Sequence, residues 1–168
     1  DIPHPLSVYG MTKYKGEQEV LKRSPNSLVI RTGSLFGGFE KDTKYIRRFY
    51  NSLMAGQPIR ATDDRYGSPT YVPDLIAETV RLLQAGATGV AHVANKGVAS
   101  YLEVALRIRE LTGANVEVSG APASEMDPKG VARGRMEGLE SNRGIELRPF
   151  DVALAEYIAA LTERSKQS

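Results

Sequence analysis

Short apolar runs alternate along this chain with segments of helical periodicity, and that alternation constrains the fold more than any other feature. Ser27 to Thr32, centred on Leu28-Val29-Ile30, is too brief for a helix and has the continuous apolar character of a strand buried on both faces. Ile59 to Thr62, Val90 to Ala94 and Asn115 to Ser119 read as further short strands. Between them lie helical segments: about Ser7 to Arg23, ended by Ser24-Pro25-Asn26, and Thr43 to Ala55, broken by Gly56-Gln57-Pro58. A third starts at Pro73, with Leu75, Ile76, Val80 and Leu83 as its apolar stripe. A fourth runs from Ser100, which with Glu103 forms a capping box, to Thr112, with Gly113 as the stop. The last covers Val152 to about Glu163, with Leu154, Ala155, Ile158 and Leu161 inward. Gly33, Gly37 and Gly38 mark one loop, and Gly67-Ser68-Pro69-Thr70 reads as another. Gly120 to Arg148 shows no period and reads as a long irregular segment. Strands alternating with helices predict an α/β architecture with parallel pairing. Three or four strands are few for a doubly wound sheet, and the missing ones are expected before Asp1, with residues 1–168 forming a single unit.

Composition narrows the function classes. Twenty-two basic residues against 20 acidic give a net charge of +2, which predicts no nucleic-acid partner, and no apolar run reaches the length of a membrane span. The chain has no cysteine, which removes disulfides, thiol catalysis and thiolate-bound zinc and is compatible with the cytoplasm. Its two histidines, His4 and His92, are far apart in sequence, so no metal site is expected.

Chemistry concentrates in Tyr9-Gly10-Met11-Thr12-Lys13. On a helix, Tyr9 and Lys13 stand at i and i+4, one turn apart on one face. A tyrosine hydroxyl is almost wholly protonated at neutral pH, and a neighbouring ammonium favours its ionised form, making it a better proton exchanger. That pairing suits carbonyl reduction. Taken alone, the spacing is met more commonly by a surface lysine beside a half-buried tyrosine. Asp63-Asp64 reads as a polar turn entry, Asp74 as charge stabilisation of a helix start, and Tyr14, Tyr45, Phe49 and Tyr50 as core and rim.

The stretch Pro5 to Lys13 followed by Gly16-Glu17 resembles the active-site helix of extended short-chain dehydrogenases/reductases, and within them the dTDP-4-dehydrorhamnose reductase group. Three pieces follow in the family's order: Ile30 to Gly37, then Asp63 to Tyr71 with Asp74-Leu75, then Gly89 to Ala94. The resemblance implies the C-terminal part of a Rossmann-type NAD(P)-binding fold with its small nucleotide-sugar-binding region. It further implies a cytoplasmic enzyme that reduces a 4-keto nucleotide sugar with NADPH or NADH. Tyr9 would be the proton donor, and Lys13 would hold the nicotinamide ribose and favour the phenolate. Thr32 and Gly33 would face the cofactor, Ser34 and Leu35 the substrate, and Arg133 the substrate's diphosphate. In the family the helix holding Tyr9 can also form a homodimer contact.

The chain departs from the family pattern in having no glycine-rich phosphate loop and no tryptophan, Ser34 standing where an aromatic is usual; Arg133 is followed by Gly134 rather than proline. The 168-residue chain alone is therefore expected to be inactive. A dinucleotide-binding regulatory subunit, and an epimerase or dehydratase of the same superfamily, remain the alternative readings.

Overall fold

Ser7 turns the extended run of Pro3 to Leu6 into the first helix. Its backbone is extended and its Oγ accepts the Gly10 N–H at 3.1 Å, a side-chain N-cap that starts α1 (Val8–Arg23). The computed structural model describes residues 3–39, 42–127, 130 and 134–167. Lys22 and Arg23 complement the carbonyl end of α1, and the helix then turns back into β1 (Leu28–Arg31). The elements that follow are β2 (Ser34–Phe36), α2 (Tyr45–Met54), β3 (Ile59–Thr62), β4 (Tyr66–Gly67), β5 (Pro69–Tyr71), α3 (Val72–Gln84) and β6 (Gly89–His92). The order ends with β7 (Ala99–Ser100), α4 (Tyr101–Thr112), β8 (Val118–Ala121), α5 (Ala123–Met126), β9 (Met136–Glu137) and α6 (Phe150–Gln167).

Three parallel ladders carry the architecture: β1 with β6, β2 with β5, and β3 with β8. Parallel pairing requires crossovers, and α3 supplies the one that delivers β6 beside β1. Alternation assigns the two faces of β1. Leu28 and Ile30 pack with Leu75 of α3 on a small core of Leu82, Ala91, Val93 and Ile145. Arg31 faces the other way, toward Glu17 of α1. A larger core lies between α2, α4 and α6 around Ile46, Val104, Ile108, Leu154, Tyr157 and Leu161. Phe36 of β2 and Tyr71 of β5 belong to it too, so the β2–β5 ladder stands where the two cores meet.

The α/β reading holds, with several differences of detail. The loop expected after Thr32 contains β2, and the loop expected at Gly67 to Thr70 contains β4 and β5; each is only two or three residues long, below the length at which periodicity can register. Leu82, with Leu75 two turns before it, is the inward side of α3, whereas Ile76, Val80 and Leu83 are exposed, a phase error of about one residue, or 100°. The strand expected at Asn115 to Ser119 sits at Val118–Ala121, in register with Ile59–Thr62. The last helix starts two residues earlier and runs further than expected, and buries Ala153 and Tyr157 in addition to Leu154, Ile158 and Leu161. The capping box at Ser100 and Glu103 and the left-handed Gly113 stop are both present. Among the described residues, no helix is long and apolar enough to cross a membrane.

Candidate active site

Tyr9 and Lys13 lie on the first two turns of α1, and the Lys13 Nζ stands 5.5 Å from the centroid of the Tyr9 ring. Tyr9 is 70% exposed, so the pair is presented outward rather than packed. Glu17 continues their face at the next i+4 position and fixes the helix to the sheet. Its Oε2 and Oε1 accept from Arg31 Nε at 2.8 Å and Nη2 at 2.6 Å, a two-point ion pair that holds the Arg31 guanidinium more firmly protonated than usual. Desolvation and the charge on Arg31 hold the neighbouring His92 imidazole below its ordinary range.

The tether has a geometric consequence. Glu17 is held at Arg31, the last residue of β1. Eight helical residues separate Glu17 from Tyr9, a rise of about 12 Å. The Glu17–Arg31 tether joins the helix that carries Tyr9 and Lys13 to the carboxyl end of β1, the end at which open α/β sheets bind ligands.

Thr32, Gly33 and Ser34 leave β1 at that end. The Thr32 Oγ1 is buried and has no hydrogen-bond partner among the described residues, which in a native fold calls for a ligand or water. At Gly33 the backbone passes so close to β5 that a Cβ would lie 1.9 Å from the Ser68 carbonyl oxygen. Ser34 is exposed and Leu35 half-buried, opposite Pro69 and Thr70 in the β2–β5 ladder. The structure thus gathers Thr32, Gly33, Ser34 and Leu35 into one short segment, with the Tyr9–Lys13 face tied to its start through Glu17 and Arg31. Arg133 lies outside the described residues. No group of three or more histidine, aspartate or glutamate side chains among the described residues could hold a metal.

Sequence reading by residue type missed Glu17 as the orienting residue, although its i+4 spacing from Lys13 was available. Ser68, expected to bond local backbone groups, instead reaches a distant segment: it is fully buried, and its Oγ accepts the Leu139 N–H at 2.9 Å and donates to the Leu139 carbonyl at 3.2 Å. That contact pins the irregular segment around residue 139 against the β4–β5 turn. Nothing local in the sequence signals a contact 71 residues apart.

The chain as a whole has counterparts among known proteins. The family described as RmlD substrate binding domain matches residues 1–163 of the 168. The chain belongs to that family. Among RmlD-domain relatives, a dTDP-4-dehydrorhamnose reductase of Mycobacterium tuberculosis is 36% identical over 168 residues, 95% of this chain and 54% of the relative. A crystal structure of dTDP-4-dehydrorhamnose reductase from Yersinia enterocolitica superposes with a TM-score of 0.89 at 29% identity, over 96% of this chain and 59% of that one. The enzyme of the same name from Bacillus anthracis, solved in complex with NADP, gives 0.84 at 26% identity, over 94% and 56%. The RmlD-domain chain described here thus spans about half the length of the curated relatives it matches.

Proposed function

We propose that this RmlD-domain chain is the catalytic and substrate-binding half of an NAD(P)H-dependent reductase acting on a 4-keto nucleotide sugar, and that a preceding dinucleotide-binding half completes it. The observation that carries the reading is the Tyr9–Lys13 face of α1, on a helix tied by Glu17 to Arg31 at the carboxyl end of β1. Support for the cofactor comes from Thr32, whose buried and unpartnered hydroxyl suits a ribose or carboxamide group, and from Gly33, where only a glycine permits the approach to Ser68. Lys13 would hold the nicotinamide ribose with Thr32 and Gly33 beside it, while Ser34 and Leu35 face the sugar and Arg133 its diphosphate. When bound, the nicotinamide supplies hydride to the carbonyl carbon. Tyr9 donates its proton to the carbonyl oxygen as negative charge develops there, and Lys13 stabilises the phenolate left behind.

The proposed dinucleotide-binding half finds support in β1. Its ladder partner is β6 on one side, and its other edge carries no strand among the described residues. Parallel sheets are normally covered on both faces, yet α1 buries none of its residues, and Ile76, Val80 and Leu83 of α3 are exposed. A third parallel strand with its helices would cover all three surfaces. Relatives about twice as long supply room for such a unit. A nucleotide-sugar reductase of this kind works in the cytoplasm and needs no nucleic acid, and a homodimer contact through α1 would take the part of the helix that the added unit leaves open.

In the whole protein, Tyr9→Phe is expected to lower kcat by orders of magnitude with cofactor affinity nearly unchanged, measured with a dTDP-linked 4-keto sugar and NADPH. Lys13→Met is expected to weaken both cofactor binding and rate. Near-normal turnover of the Tyr9 variant overturns the assignment.

A further inference from the structure

Asp74 and Arg148 meet in the seam between the two cores. Arg148 places Nε 2.8 Å from Asp74 Oδ2 and Nη2 3.0 Å from Oδ1, so the guanidinium grips the carboxylate at two points. Its Nη1 donates to Glu156 Oε2 at 2.5 Å. Behind them lies Asn95, 1% exposed. Its Nδ2 donates to Asp74 Oδ2 at 2.8 Å and to the Arg148 carbonyl at 3.0 Å, while its Oδ1 accepts the Tyr71 N–H at 2.8 Å. The Arg148 guanidinium also stands 5.5 Å from the centroid of the Tyr71 ring. Four chain segments therefore converge: the last residue of β5, the first turn of α3, the loop after β6 and the lead into α6.

Apolar contact alone would hold these segments together without fixing their direction. A two-point fork and a fully used buried amide fix both distance and angle. What they fix first is Tyr71, through its backbone N–H. Tyr71 ends β5, and β5 is the ladder partner of β2 in the register Ser34 to Pro69, Leu35 to Thr70 and Phe36 to Tyr71. β2 is only three residues long and takes its position from that ladder. We propose that Asp74 and Arg148 are a positioning pair that sets where Ser34 and Leu35 stand relative to the Tyr9–Lys13 face, and thereby the affinity for the sugar end of the substrate. The proposal rests on the reading of β2 as the substrate-facing segment. It differs from plain structural support in what it predicts for the two kinetic constants.

The test uses the whole protein, with NADPH and a dTDP-linked 4-keto sugar as probes. Arg148→Met is expected to raise KM for the sugar nucleotide tenfold or more while the NADPH Kd stays within about twofold. Arg148→Lys keeps the charge without the fork and is expected to recover part of the loss. Asp74→Asn keeps an acceptor for Asn95 and removes the ion pair, and it serves if the methionine variant does not fold; its KM is expected to rise as well. Wild-type KM and kcat per active site in the lysine and asparagine variants, with only melting temperature lowered, overturn the positioning role. Tyr9→Phe assayed alongside separates the two failures. An inactive Tyr9 variant beside unaltered Arg148 and Asp74 variants removes this proposal alone, whereas an active Tyr9 variant removes the reading on which it rests.

Discussion

At the scale of single residues, the site depends on positions whose neighbours leave no latitude. Gly33 is the clearest. A methyl group there would overlap the Ser68 carbonyl oxygen at 1.9 Å, and Ser68 cannot retreat because its own Oγ is tied in both directions to Leu139. Gly33→Ala is therefore expected to destabilise the chain by about 2–3 kcal/mol, as overpacking against a fixed backbone does, and to pull β2 away from β5. A urea titration of the two proteins measures the first effect; an unchanged midpoint would mean that the approach at Ser68 is softer than the geometry indicates. The spacing of Tyr9 and Lys13 made them candidates within five positions, but their roles, like the cofactor-facing role of Gly33, came from the resemblance of the surrounding stretches to a reductase family and not from residue type. Asp74 was legible only as a favourable charge at a helix start. Its partner Arg148 lies 74 residues away, in the stretch without periodicity, and no local pattern connects them.

At the scale of elements, α1 is the one whose hold on the rest is thinnest. It buries no side chain, and its cap is made by its own Ser7, so the Glu17–Arg31 pair is the main side-chain link between the helix body and the sheet. Replacing Glu17 by Gln keeps the shape and removes the charge. The amides of α1 are then expected to exchange with deuterium at least several-fold faster, while those of α4 and α6 keep their protection. Equal protection of α1 in both proteins would show that other contacts carry the helix. Helices with capping boxes and glycine stops were legible in the sequence to within a residue or two, since those signals are local. The phase of α3 was not. Ile76, Val80 and Leu83 form as regular a row as Leu75 and Leu82, and only the neighbouring sheet decides which row turns inward.

At the scale of the molecule, two cores are joined through a short ladder, and one sheet stops at β1. Strand order is a tertiary property: β1 and β6 are separated by almost sixty residues, so their pairing could be expected as a class but not read as a register. The proposed completion by a dinucleotide-binding half is directly measurable. Co-expressed as a separate polypeptide, the preceding half of the whole protein is expected to co-purify with this chain and to raise its melting temperature by several degrees, since burial of apolar surface on α1, β1 and α3 stabilises whatever binds the folded form. Failure of the two pieces to associate, with each monomeric by ultracentrifugation, would count against β1 as the joining edge.

The uncovered edge of β1 also bears on how such a chain behaves while it waits. Its outward N–H and C=O groups form a row that any extended segment can pair with, flanked by apolar side chains of α1 and α3 that favour company over water. Natural edge strands are commonly blunted by proline, a bulge or an inward charge, and Leu28-Val29-Ile30 has none of these. An open strand edge is a template for self-association, and the proposed dinucleotide-binding half, by pairing with it, would also keep this chain in solution.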